Sequence, residues 1–538
     1  MPLRWQVLIQ TVLAKLTNIA SQLASQLHLF FMPDSLATIK KKMIMLLKST
    51  PTSAAMIIAT SVLLSACGDD SDGKSNPPSE PQIEHLSGGE ATVTTAGARA
   101  FQRQSRNMDD VNRIVSFNEG NHFFENPWVQ GTASTQARDG LGPYFNRNAC
   151  QSCHVNDGRG HAADVAVDGV AHGTDFNSML IRVSRAVAPE NERQANTPDS
   201  TVGGQLQHKA VMDVQKEASL AVSYTTTTIS FADGHTVALR KPTWHMESHI
   251  GEFDSDAVFS ARVAPPMIGL GLLELIKESD ILANEDVSDA NNDGISGEAN
   301  RVWSLEDDDF TLGRFGWKAG QPSLLEQSAG AFAGDMGLTS RFHPNENCHN
   351  DQADCLAAPN GNGDDNYEVT DSILSLIDFY SHHLAVPARR DAYDRDVQRG
   401  KQLFADAGCT ACHTPSYTTG SDALHPELSN QTIFPYTDML LHDMGAELAD
   451  FTLDNLPVGA DVQVEYLASA TEWRTPPLWG IGFTKEVDED ATFLHDGRAR
   501  TILEAVLWHE GEAKSSRDKV LMFNVQERAD FEAFLEDL

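Results

Sequence analysis

Positive charge is scarce in this sequence. Only 40 lysine and arginine side chains stand against 76 acidic ones, a net charge of −36 over 538 residues. A nucleic-acid-binding chain needs a basic footprint to neutralise phosphates, so no nucleic-acid partner is expected. A basic protein partner is the kind such a surface would steer. Apolar runs are short as well: Ala54–Ala66 has 13 residues, below the ~20 that span a bilayer. There is no G-x-S-x-G elbow, no Walker A loop and no strand-coupled G-x-G-x-x-G, which removes serine-hydrolase, kinase and dinucleotide-binding readings. No fixed-period repeat occurs. Cysteine is sparse too, at seven residues, and the placement of those seven is informative.

Four of them fall in two C-x-x-C-H motifs, Cys150-Gln151-Ser152-Cys153-His154 and Cys409-Thr410-Ala411-Cys412-His413. Two thiols at this spacing can add across the two vinyl groups of one haem, and the adjacent histidine is then placed to bind the iron. A thioredoxin-like pair would want a βαβ setting, and half a zinc site would want matching Cys or His pairs nearby. Neither motif has them. Two covalently attached haem c groups are therefore expected, with His154 and His413 as iron ligands. Upstream of the second motif, Val397, Gly400, Leu403 and Phe404 fall at i, i+3, i+6 and i+7, one helical stripe running into the motif. That stripe resembles the opening helix of a cytochrome c domain.

The N-terminus reads as an address. Lys40, Lys41, Lys42 and Lys48 precede the apolar run, the pattern of a signal peptide, with Met43 or Met45 as the expected start. Leu64-Ser65-Ala66-Cys67 resembles a lipobox, which implies lipid on Cys67 and a membrane anchor. Residues 1–66 are thus set apart, and 67–85, rich in Asp, Ser, Gly and Pro, form an expected tether. Cys348 and Cys355 remain and are expected to pair as a short-loop disulfide in an oxidising compartment, the periplasmic side of a bacterial membrane.

The expected fold is mainly α: two cytochrome c-like haem domains, 86–390 and 391–538, with a small inserted β region in the N-terminal half. The β signal comes from alternating stretches such as Leu220–Thr226. Asp289, Asn291, Asp293 and Ile295 have the spacing of the first half of an EF-hand loop, followed by Asn300 where a bidentate Glu belongs. Calcium and a metal-free polar loop both remain open there.

Several runs then resemble one bacterial family. They are Arg262–Glu274, Asp293–Gly297, Gly313–Lys318 and Leu440–Gly445. They are similar to the di-haem oxidoreductases often labelled thiol oxidoreductases, and more distantly to di-haem cytochrome c peroxidases and MauG. The resemblance runs from about Phe117 to the C-terminus. It implies that Trp317 relays electrons between haems and that Gln327 and Asp335 face the distal side of the N-terminal haem. The relatives' acid is a glutamate two residues later. Arg474–Leu478 and Phe493–Gly497 match the relatives' C-terminal motifs, and His509 stands where a methionine or tyrosine takes the sixth position on the second haem. His509 is therefore the expected distal ligand, with Met444 as the competitor.

The implied activity is peroxidase-like. Electrons from a small periplasmic donor, such as a cytochrome c or cupredoxin, pass through the C-terminal haem to the N-terminal haem, where peroxide or another oxidant is reduced. The alternatives are oxidation of a metal ion, thiol or partner protein, and a non-catalytic electron-transfer lipoprotein. His122, His161, His172, His245 and His249 are the candidates for closing the first haem. A thiol activity finds no support, since no free cysteine pair is left over.

Overall fold

The computed structural model describes residues 84–538 apart from 164–168, 173–175, 350–351, 363–365 and the side chain of His172. The expected signal peptide and the lipid site Cys67 lie outside the described residues. Residues Pro81–Leu538 cluster as one unit, and the expected boundary at 390/391 falls inside it.

Helices surround the first motif. Helix α1 (Val111–Glu125) starts at Asp110, whose carboxylate accepts from the Asn112 and Arg113 amides. It packs against α3 (Asp371–His383) so closely that a Cβ on Gly120 would lie 2.2 Å from Leu376 O. Only glycine permits that approach. Helix α2 (Leu324–Met336) is capped by Ser323 and closes at Gly337 in the left-handed conformation. Phe117, Phe124, Trp128, Phe332, Ile377 and Tyr380 form the core that these three helices share. Each such side chain, once buried, contributes roughly 1.5–3 kcal/mol.

Helix α4 (Arg395–Ala407) carries the stripe read from the sequence. Val397, Gly400 and Phe404 are buried, and Leu403 is half-buried beside them. The stripe meets α5 (Val525–Asp537), where Phe404 lies 6.2 Å from Phe531 and 5.4 Å from Phe534 between ring centroids. Gly408 in the left-handed region ends α4 and delivers the chain into Cys409.

Strands are far more widespread than expected. Strand β1 (Met179–Arg185) pairs antiparallel with β4 (Ala257–Val263) and with Gln205–Leu206. Strands β2 (Ala218–Ser230) and β3 (Thr236–Ser248) form a hairpin in register from Ala218↔Ser248 to Ser230↔Thr236. The two sheets share a core that includes Ile181, Val222, Trp244, Phe259 and Phe451. Further along, β5 (Leu441–Asp443) pairs with β6 (Glu472–Arg474).

The expectation of a mainly α fold is therefore corrected. The described residues are 28% helical and 20% strand, and no cytochrome-like helical domain is seen. The reason is physical: most of these strands have two to four residues, too short to show a two-residue period. They are held by distant partners rather than by local pattern. Among the described residues no helix is long and apolar enough to cross a membrane, and Cys348 and Cys355 form a disulfide.

Candidate functional site

Both C-x-x-C-H motifs open as single 3-10 turns, Cys150–Ser152 and Cys409–Ala411. In each the histidine amide folds back on the first cysteine: His154 N to Cys150 O and His413 N to Cys409 O, both 3.0 Å. In each the Nδ1 nitrogen meets a backbone carbonyl, Pro265 O at 2.8 Å for His154 and Tyr436 O at 2.9 Å for His413. With Nδ1–H donating there, Nε2 keeps its lone pair. Burial pushes both imidazoles down to about 4, so they are neutral. That is the state in which imidazole binds a metal.

One cavity of about 590 Å³ touches both motifs. Cys150, Cys153 and His154 border it, and so do Cys409, Cys412 and His413. His509 borders it too, with Nδ1 at 2.8 Å from Ala505 O and its imidazole lowered by burial. Met444 also lines the cavity, so both expected sixth-position candidates reach it. His122, His161, His245 and His249 do not. His122 contacts Asn126, His245 contacts Ser223 and His249 contacts Ser219 instead.

Helix α2 brings both proton-handling candidates to the cavity, Gln327 and Asp335. Burial raises the Asp335 carboxyl, and Arg182 and the Gln205 side chain oppose that shift. Gln205 Nε2 donates to Asp335 Oδ1 at 2.8 Å. Asp335 O in turn accepts from the Asn146 and Arg147 amides just before Cys150, which ties the acid to the first motif.

Trp317 is buried on the cavity wall, with Nε1 donating to Val263 O at 2.8 Å and the Arg159 guanidinium 5.1 Å from its ring. Its ring meets His495 edge-on at 6.5 Å, and His495 stacks on Trp473 at 3.6 Å with planes 8° apart. Trp473 stands opposite His442 in the β5–β6 pair, and His442 Nδ1 is 3.7 Å from Cys412 Sγ. A line of rings therefore runs along the cavity wall from Trp317 through His495 to Trp473, whose cross-strand partner His442 lies beside the second motif. Trp473 was missed in the sequence reading, although it sits one residue before the matched Arg474–Leu478 run. The His442 pairing was missed as well. Burial lowers that imidazole, but Asp438 at 2.8 Å and Glu512 at 2.7 Å raise it well above its ordinary value, so it is an imidazolium.

The calcium candidates lie on an exposed loop. Asp289 Oδ1 and Asn291 Oδ1 accept from Asp293 N, and Asp293 Oδ1 accepts from Ile295 N. Asn300 does not serve the loop: it is buried, donating to Lys318 O at 2.8 Å and accepting from Leu467 N at 3.0 Å.

Residues 83–538 match the model of a family described as "di-haem oxidoreductase, putative peroxidase". The chain belongs to this family. No curated protein matches it. Two haems are therefore the cofactors of this di-haem oxidoreductase, and the residues fit them. Each motif presents to the cavity a half-buried, neutral imidazole, one of whose nitrogens is already held by a carbonyl.

Asp157, three residues after His154, gives the fold a pH dependence. Burial pushes its carboxyl up to about 7, while Tyr380 OH, donating at 2.7 Å, pulls it down. The folded state thus holds a proton that the unfolded chain releases near pH 4. Between about pH 4 and 7 the native state binds more protons, so stability falls as pH rises through that window. In the Asp157→Asn variant this contribution should vanish. Unfolding free energies at pH 4.5 and 7.5 should differ less than in the wild type, by up to about 3 kcal/mol. An unchanged difference would show that Asp157 does not carry it.

Proposed function

We propose that this di-haem oxidoreductase is a c-type peroxidase on the periplasmic side of a bacterial membrane, anchored by lipid on Cys67. Electrons from a small donor, a cytochrome c or a cupredoxin, enter at the second motif and are used at the first. In this reading Cys150 and Cys153 would hold one haem by thioether bonds, and His154 would bind its iron. Cys409 and Cys412 would hold the other, with His413 and His509 as the residues that would bind its iron. The observation that carries the reading is the single cavity bordered by both motifs, with Trp317 on its wall and Asp335 beside the first.

When bound, the haems would supply iron redox chemistry, one with an open position for peroxide and one closed by two histidines as an electron store. The protein's own part is different. The Pro265 and Tyr436 carbonyls orient His154 and His413, and burial keeps both imidazoles neutral. Asp335, held by Gln205, stores and delivers the proton that cleavage of an O–O bond needs. Arg159 and Val263 O fix the plane of Trp317. Thiol chemistry is disfavoured, because the thioethers would take all four motif cysteines and Cys348 and Cys355 are joined in a disulfide. Calcium at 289–295 is not part of this proposal, since Asn300 is committed elsewhere.

The test is the optical and EPR spectrum of the oxidised and half-reduced protein, before and after peroxide. A high-spin signal from the Cys150 side that peroxide consumes, beside a low-spin signal lost in His509→Ala, is the expected result. Two low-spin, peroxide-inert haems in every redox state would overturn the reading and leave an electron carrier.

A further inference from the structure

We propose that Asp378, His382 and His425 form a site for one divalent transition-metal ion of the zinc class, separate from the haem cavity. One ligand atom from each residue lies within 4.8 Å of the other two. His382 and His425 are buried, at 4% and 8% exposure, and their rings lie parallel with centroids 4.0 Å apart. Among the described residues His425 Nδ1 has no hydrogen-bond partner, although it is sealed from solvent. A buried imidazole nitrogen left unsatisfied is costly, and such groups in native structures have a reason. A metal ion is the partner that this neighbourhood can provide.

The surrounding groups are arranged for a cation. Asp378 Oδ1 stands 3.2 Å from His382 Nδ1, and Glu274 Oε1 stands 3.3 Å from His382 Nε2. Glu274 is itself anchored, because its Oε2 accepts from Leu324 N at 2.7 Å. Two carboxylates would balance a divalent charge. Without metal, that role falls to a proton: burial lowers the His382 imidazole, but Asp378 and Glu274 raise it to about 10. His425 stays neutral, driven down to about 3 by burial and by its neighbours His382 and His383. His382 Nδ1 also meets the Asp378 carbonyl at 2.9 Å, so Nε2 is the nitrogen it would offer the ion, in place of its contact with Glu274. His383 Nδ1 likewise meets Phe379 O, but its Nε2 faces the Arg113 guanidinium at 3.1 Å, which leaves no room for a second cation there.

Two imidazoles with one or two carboxylates suit zinc-class ions rather than calcium, which prefers six to eight oxygens. A tetrahedral ion with bonds of about 2.1 Å holds its ligand atoms about 3.4 Å apart. The three groups would have to close by no more than about 1.5 Å, with the stacked rings splaying so that their lone pairs converge. His425 lies in a loop already shaped by Asp422, whose Oδ1 accepts from Leu424 N and His425 N. The ion would therefore staple α3, from before the second motif, to a loop that follows it.

The test is a zinc titration of the full haem-loaded protein after EDTA treatment, by calorimetry. One Zn²⁺ per chain with micromolar or tighter Kd is expected, with a thermal midpoint that zinc raises and EDTA returns. His425→Ala and Asp378→Asn should each weaken zinc binding by about 100-fold and remove the zinc-dependent shift, with unchanged haem spectra. Asp293→Asn, on the exposed loop, should change nothing. If His425→Ala does not fold, Asp378→Asn alone reads the same loss. No zinc bound by the wild type, or equal affinity in wild type and Asp378→Asn, would overturn the site.

Discussion

Replacing Asp335 with asparagine should lower peroxide turnover by about 10²- to 10⁴-fold, with both haems still attached. That range is what a positioned general acid or base contributes. The amide keeps the shape and can still meet Gln205, but it cannot take up and release a proton. Arg182, which loses one counter-charge, retains Glu465 nearby. Burial raises the Asp335 carboxyl, so in the wild type the proton-loaded form persists to higher pH than in an exposed aspartate. Activity that uses this proton therefore falls as pH rises through that raised pKa, and the variant should lack the limb. Steady-state turnover against pH, with haem content measured on the same samples, decides the matter. Turnover within about threefold of wild type would remove Asp335 from the mechanism and turn attention to Gln327.

The asymmetry between what was and was not legible in the sequence follows from the range of the interactions. The C-x-x-C-H motifs are local: five consecutive residues carry the thiols, the imidazole and the turn that folds His154 N and His413 N onto Cys150 O and Cys409 O. The α4 stripe was equally readable, because its spacing is set by one helix whatever it packs on. The hairpin was half legible. Leu220 and Val222 alternate into the core, but from Thr225 to Thr228 the strand is exposed and its pairing with β3 carries no apolar signature. Short strands such as β5 and β6 had no readable period, and this is why a mainly α fold was expected. The ring line from Trp317 through His495 to Trp473 joins residues more than 150 positions apart. Only the tertiary fold creates it. His382 and His425, 43 residues apart in sequence, are of the same kind.

Replacing Lys318 with methionine should destabilise the protein by about 3–5 kcal/mol, the cost of breaking a buried ion pair and leaving one partner charged. Lys318 has no solvent exposure, and its ammonium lies 3.2 Å from Asp450 Oδ2, with Asp450 only 2% exposed. Nζ also donates to Ser469 O at 2.9 Å and Glu472 O at 2.7 Å, so the substitution strands two carbonyls as well as a carboxylate. Neutralising Asp450 in the double variant Lys318→Met/Asp450→Asn should recover at least half of the loss, because the unpaired charge is its largest part. Guanidinium unfolding of the two variants separates these contributions, and a single variant within about 1 kcal/mol of wild type would show that the pair is not load-carrying. The same ammonium sits 3.8 Å from the centroid of Trp473, whose opposite face stacks on His495. A cation against the ring makes removal of an electron from Trp473 more costly, whereas Trp317 faces its guanidinium at the longer distance of 5.1 Å. Lys318→Met therefore takes a cation from the face of Trp473 as well as breaking the buried ion pair.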